Sequence, residues 1–345
     1  MYEIDFLPVE NEDGSSSKSG DAIVAKFTDP ATFSPVVVVV DAGFTPVADQ
    51  VIEHLDTYHG ARSIDLMVST HPDTDHINGL IGVLEACDVK ELMMHLPWKH
   101  DTRAASWGNY EKIVQLFDLA TSRGVTVTEP FAGVTRFGGA FRVLGPTEEY
   151  YRVQLSRSLD EVTSVSLSAS GWAGSTLIAS ATKLVKRVLN WFPSETLTDT
   201  DDTSARNNTS VISAIVADDR RFMLTGDSGI SALEGAALEY EGAYGAFSTA
   251  PLFLFQAPHH GSHHNLGPAI LDRILGTPDH PHVPEVSAVV SSAKASEKHP
   301  SSKVTNALGR RGAHVSATEG RTLCLSSTPR PGWSSVAPIG PLEEE

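Results

Sequence analysis

Three times along this chain a short apolar run stops at side chains able to bind a cation. SIDLMVST runs into His71, Asp73, Asp75 and His76, FMLTG into Asp227, and LFLFQAP into His259 and His260. Such runs are too short for most helices and fit buried strands. In α/β proteins the strand ends open into a crevice between flanking helices, and catalytic groups collect there. Three such ends in one chain predict an α/β fold with a single site.

The rest of the sequence fills in that frame. EIDFLPV, AIVAKF and VVVVVD read as strands, followed by a helix from about 46 to 58. After the HPDTDH segment come a helix (INGLIGVLEAC), a strand (ELMMHLP) and an amphipathic helix (NYEKIVQLFDLATSRG) closed by Gly124. VTVTEP and FRVLGP continue as strands, and TSVISAIVADD with RRFMLTGD reads as a hairpin. SALEGAALEY and KVTNALGRRG follow as helices, with SAVVSSA and TLCLSST as late strands. Residues 1–328 are expected to form one domain, with an insertion at about 147–206 whose single helix lies in GWAGSTLIASATKLVKRVLNWFP. The Pro-rich segment 329–345, ending in three glutamates, reads as a flexible tail.

Charge and cysteine content narrow the function. A formal charge of -17 argues against a broad, sequence-independent grip on nucleic acid. It does not exclude phosphodiester cleavage, because bound cations supply their own positive field. Cys87 and Cys324 lie far apart and form no Cys-x-x-Cys pair, so a thiolate zinc site is not expected. No apolar stretch is long enough to span a bilayer, and the start lacks a signal-peptide pattern, so a cytoplasmic protein is expected, with no membrane contact.

The HPDTDH segment crowds two imidazoles and two carboxylates into six residues. Carboxylates so close repel one another unless solvent or a cation intervenes, and imidazole with carboxylate is a common ligand set for zinc, manganese and iron. Capping aspartates in a solvated turn would explain the segment alone, but not Asp227 and the His259-His260 pair as well.

These segments, together with GDAIV, VVVVVDAG, NNTSVI, APHHGS and KHPSSKV, resemble the metallo-β-lactamase superfamily, and within it the hydrolase domain of ComEC-type competence proteins. The resemblance implies an αββα sandwich of two mixed sheets flanked by helices. It implies two divalent metal ions, zinc or manganese, on His71, Asp73, Asp75, His76, a bridging Asp227 and His260. His259 is implied as substrate-facing or supporting, with the choice between the two histidines open. Asp41 would orient the metal loop. Asn207 and Asn208 stand where many members carry a further histidine. His299 would protonate a leaving group or hold a phosphate. Read from the residues themselves, Gly261 and Ser262 either bring backbone amides to a phosphate oxygen or simply form a tight turn, and both explain them equally well.

Resemblance thus points to a metal-dependent phosphodiesterase or nuclease acting on DNA, on single strands or ends, through a metal-activated hydroxide that Asp75 orients. Lys183, Lys186, Arg187, Trp191 and Phe192 are candidates to line a strand groove. The alternatives are a hydrolase of small phosphodiesters, of the phosphorylcholine-ester or cyclic-nucleotide type, and a metal-bound interaction module with weak turnover. No protein partner can be read from the sequence.

Overall fold

A computed structural model describes residues 1–12, 17–168, 194–283, 286–296 and 298–344. Lys183, Lys186, Arg187, Trp191 and Phe192, with the helix expected around them, lie outside the described residues.

Two seven-stranded sheets dominate. In the first, β1 (Tyr2–Phe6), β2 (Ala22–Thr28) and β3 (Pro35–Ala42) are antiparallel neighbours, and β4 (Leu66–Val68), β5 (Glu91–Met93) and β6 (Thr126–Thr128) extend β3 in parallel. The second repeats that design. There β7 (Thr135–Arg136), β8 (Phe141–Gly145), β9 (Ile212–Ala217) and β10 (Arg220–Leu224) run antiparallel, and β11 (Leu254–Gln256), β12 (Ser287–Val290) and β13 (His314–Ala317) follow in parallel. The last strand, β14 (Leu323–Ser326), returns to pair with β1 in the first sheet.

Alternation decides what each face meets. In β2 and β3, Ile23, Ala25, Val38 and Val40 enter the layer between the sheets, where they join Phe141, Ile215, Phe222 and Leu254. Val24 and Val39 point the other way, into a second core with α1 (Val47–His54), α2 (Thr74–Ala86) and α3 (Tyr110–Ser122). A third core lies between the second sheet and α5 (Ile230–Tyr244), α6 (Pro268–Leu275) and α7 (Ser302–Arg310). The β9–β10 hairpin turns at Asp218 and Asp219, both at positive φ (50° and 58°), the conformation a two-residue hairpin turn requires. The result is the sandwich of two mixed sheets flanked by helices that the sequence implied.

Three details depart from expectation. The insertion from about 147, expected to hold one helix in GWAGSTLIASATKLVKRVLNWFP, begins with another, α4 (Glu148–Ser168), whose Tyr151, Leu155 and Leu159 are buried at the four-residue spacing of one helix face. Second, α2 starts at Thr74, so Asp75 and His76 sit in its first turn rather than ahead of the helix. Third, residues 329–344, expected as a flexible tail, instead lie along the body. Arg330 makes two 2.9 Å bonds to the buried Asp5 carboxylate, Ile339 N donates to Val315 O at 2.7 Å, and Leu342 N donates to Asn306 Oδ1 at 2.9 Å.

Candidate metal centre

The parallel strands β3, β4, β10 and β11 all end at the same edge of the sandwich, because each parallel half delivers its C-terminal ends to one side. This brings Asp41, the His71–His76 segment, Asp227 and the His259-His260 pair together. Close backbone approach holds the motif there. A Cβ at Gly79 would lie 1.9 Å from Ala42 O, and one at Gly20 would lie 2.3 Å from Asp75 O, so both positions require glycine.

Asp227 is the hub. His71 Nε2 and His259 Nε2 lie 3.6 and 3.7 Å from its Oδ2, and His76 Nε2 and His260 Nε2 lie 3.4 and 3.8 Å from its Oδ1. Asp73 Oδ2 is 3.6 Å from His71 Nε2, and Asp75 Oδ2 is 3.6 Å from His260 Nε2. All these separations are too long for hydrogen bonds. Taken pair by pair they match two ligands roughly 2.1 Å from one tetrahedral ion, which stand roughly 3.4 Å apart. His71 with His76 and Asp227, Asp75 with His76 and His260, and Asp21 with Asp227 and His260 each bring three donor atoms within 4.8 Å of one another, whereas His259 and Asp73 stand outside these groups. Among the described residues His71 Nε2, His76 Nε2, His260 Nε2 and Asp227 Oδ1 are buried without a hydrogen-bond partner. Buried orphans of this kind need an explanation, and a divalent ion supplies one.

The surrounding hydrogen bonds aim the imidazoles. Asp41, at φ 55°, accepts from Thr70 N (2.9 Å), Thr70 Oγ1 (2.5 Å) and His76 Nδ1 (2.8 Å). A carboxylate only accepts, so His76 carries a proton on Nδ1, which leaves Nε2, facing Asp227, as the nitrogen open to a cation. Because Thr70 Oγ1 spends its proton on Asp41, it accepts from His71 Nδ1 at 3.1 Å, which fixes His71 the same way.

Electrostatics fit a cluster waiting for positive charge. Burial opposes ionisation of Asp227, but His76, His259, His260 and His71 hold its carboxyl well below the usual range. Burial likewise opposes the charge on Asp75, yet His260 and His76 bring it to about 2. Against its own burial His260 is raised to about 9 by Asp227, Asp75 and Asp21, and His76 is held well above the histidine range by Asp227 and Asp41. Protons on these imidazoles occupy the place of a cation and would leave when one binds.

Other candidate residues fall in different places. Asn207 Nδ2 lies 3.3 Å from His259 Nδ1, at the centre's edge. Asn208 does not face it, because its Oδ1 accepts from Gly229 N at 3.0 Å and braces the start of α5. Gly261 N and Ser262 N already donate to Pro258 O and His259 O, both at 3.0 Å, so neither amide is free for a phosphate oxygen. The His299 ring stands 5.8 Å from that of His259 and 6.2 Å from that of His260. Burial, reinforced by those two imidazoles, lowers His299 to about 3, so the ring is uncharged at neutral pH.

Sequence reasoning missed two residues, Asp21 and Arg206. Asp21 is fully buried beside His76, Asp227 and His260, with Oδ2 accepting from Gln256 Nε2 at 3.0 Å and burial raising its pKa. It precedes β2, and since β2 runs antiparallel to β3 its start lies at the same edge as Asp41. The GDAIV segment was visible, but not its placement. Arg206 was also missed. Its Nε is 2.5 Å from Asp73 Oδ1, its Nη2 donates to Gly108 O at 2.6 Å, and its guanidinium stacks over Trp107.

Comparison with known proteins agrees with this geometry. Residues 36–155 match the family model described as the metallo-beta-lactamase superfamily, a segment that includes Asp41 and the whole His71–His76 motif. No curated protein matches the chain. That superfamily is generally hydrolytic and commonly binds divalent metals, and over residues 36–155, which supply part of the ligand-rich edge of the sandwich, the chain is similar to a metallo-beta-lactamase superfamily domain.

Proposed function

We propose that the protein is a metal-dependent phosphodiesterase that cleaves DNA at single strands or ends. The observation that carries the reading is the division of four imidazoles between the two oxygens of Asp227. One carboxylate facing two ligand sets suits a pair of divalent ions, and such pairs stabilise both the attacking and leaving oxygens of an in-line displacement at phosphorus. When bound, the ions supply Lewis acidity and make water a competent nucleophile at neutral pH.

The chain's own residues do the positioning. Asp73 adds a hard oxygen donor on the His71 side, which suits manganese as well as zinc. Asp75 keeps its carboxylate ionised and partly exposed, so it can accept a hydrogen bond from an attacking water and orient it. His299, uncharged, donates one N–H toward a substrate or leaving-group oxygen. The sequence resemblance to ComEC-type hydrolase domains supports phosphodiesters over lactams or thioesters. A role in DNA uptake does not carry over with it, and among the described residues no helix is long and apolar enough to cross a membrane.

The charge of -17 favours a second reading, in which the substrate is a small phosphodiester that need not lie along the protein surface. Metal analysis of the purified chain, followed by manganese- and zinc-supplemented cleavage of single- and double-stranded DNA beside bis(p-nitrophenyl) phosphate, separates the two. DNA cleavage lost in Asp75→Ala supports the nuclease. Cleavage of the small ester alone selects the second reading, and bound metal without turnover on either leaves an interaction module.

A further inference from the structure

We infer that Asp5, His54 and His59 form a separate cation site, which takes zinc or a similar late transition-metal ion in competition with Arg330 of the C-terminal segment. The site shares no residue with the ligands around Asp227 and does not depend on how that centre is read.

Asp5, 0% exposed, lies on β1 against α1, whose last residue is His54, 6% exposed. Beyond His54 the helix widens. Leu55–His59 forms one π-helical turn, closed where Gly60 N donates to Leu55 O, five residues back, at 3.0 Å. In a regular α-helix residues five apart point in different directions, but the wider turn brings them round to one side. His59 therefore stands beside His54, with ring centroids 5.6 Å apart. Single π-helical turns of this kind are found frequently at functional sites. One donor atom from each of Asp5, His54 and His59 lies within 4.8 Å of the other two.

His59 is the member that ordinary packing leaves unexplained. His54 Nε2 donates to Asp5 Oδ2 at 3.0 Å, and Arg330 donates to both Asp5 oxygens at 2.9 Å, so those three groups satisfy one another. Both ring nitrogens of His59 are shut off from solvent, yet among the described residues neither has a hydrogen-bond partner. Burying a polar ring in this way costs free energy unless something pairs with it. A cation on a His59 lone pair supplies the pairing. Two imidazoles with one carboxylate suit zinc, nickel or copper better than magnesium or calcium. The ion takes the place of the proton that His54 now donates to Asp5, and that proton is released on binding.

Arg330 sets the competition. Its guanidinium lies over the ring of Tyr58, from the same π-helical turn, at 4.3 Å, and over Trp333 at 4.7 Å. Guanidinium and metal ion are both positive and seek one carboxylate, so each weakens the other's hold. Metal binding is thereby coupled to how tightly the C-terminal segment lies on β1.

The test is zinc binding by full-length Asp227→Ala, which lacks the hub of the strand-end centre, alone and combined with His59→Ala, His59→Gln or Arg330→Gln, with thermal melts to confirm folding. Asp227→Ala should hold one zinc. Either His59 change should remove it or weaken it by at least about tenfold, and Arg330→Gln should tighten it by about tenfold. If Asp227→Ala does not fold, the wild-type chain and His59→Gln are compared at saturating zinc, and the variant should hold one ion fewer. Limited proteolysis within residues 329–345 should quicken when zinc is added. Equal zinc binding with and without His59, or no zinc held by folded Asp227→Ala, would overturn the site. Unchanged affinity in Arg330→Gln, or unchanged proteolysis, would overturn the competition.

Discussion

The two ligand sets around Asp227 differ in how firmly the fold holds them. On the His76 side, His76 and His260 are 0 and 4% exposed, and the Asp75 side chain is 25% exposed. On the His71 side, His71 is buried, but the Asp73 and His259 side chains are 30 and 33% exposed. Asp73 is held by Arg206 and His259 by Asn265, both from loops beyond the motif. The imidazoles of the His76 set are therefore fixed by the core, while His259 and Asp73 of the His71 set are held by loops at the surface. A buried, preformed set gives up less conformational freedom when an ion arrives, so the His76 position should fill first and empty last.

The severest test of the comparison is Asp227→Ala, which removes what the two positions share. Both ions should be lost and hydrolysis should fall by roughly three orders of magnitude or more, given how far metal binding lowers the pKa of water. Metal analysis that found either position intact would mean that Asp227 is not shared.

Arg206→Ala should separate the positions instead. Freed from Arg206, Asp73 loses its aim, and supporting groups of this kind are worth about 10- to 100-fold in metal affinity. Calorimetric titration should show one weakened and one unchanged ion, with the unchanged one at the His76 position. Equal weakening of both would show that the two sets respond as a unit.

The smallest effect concerns the wall behind the His71 position. There a small cavity of about 20 Å³ is lined by His71, Trp107, Tyr151 and His95, whose ring stacks on Tyr151. Burial, with a lesser contribution from His100, pulls His95 down to about 3. In the unfolded chain it titrates near 6.5, so as pH drops below about 6.5 the unfolded state takes up a proton that the folded state refuses until about pH 3. This group's contribution to stability is complete above that window and declines through it by up to about 1.4 kcal/mol per pH unit. Urea melts of His95→Phe at neutral and mildly acidic pH should show a shallower acid decline than wild type. Parallel declines would mean that His95 charges freely within the fold.

Much of this was legible in the chain before any coordinates. Apolar runs marked β3, β4, β9, β10 and β11 because burial on both faces selects continuous Val, Ile, Leu and Phe. The crowding of His71, Asp73, Asp75 and His76 announced cation chemistry through mutual repulsion alone. The helix α4 was missed although Tyr151, Leu155 and Leu159 carry its spacing, because the serines around them masked the period.

What the sequence determined by itself was local: which runs are strands, where they stop, and which donor atoms stand at each stop. Tertiary structure decided which of those donors meet around Asp227. Asp21 and Gln256, 235 residues apart, meet because β2 and β11 belong to different sheets that open at one edge. His259 and His260 divide between the two oxygens of Asp227 because the backbone turns left-handed after β11, and Asn265, itself anchored to the Asp227 backbone, orients the His259 ring. Local spacing cannot encode such choices, since the energy that selects them comes from contacts between segments that only the folded chain brings within reach.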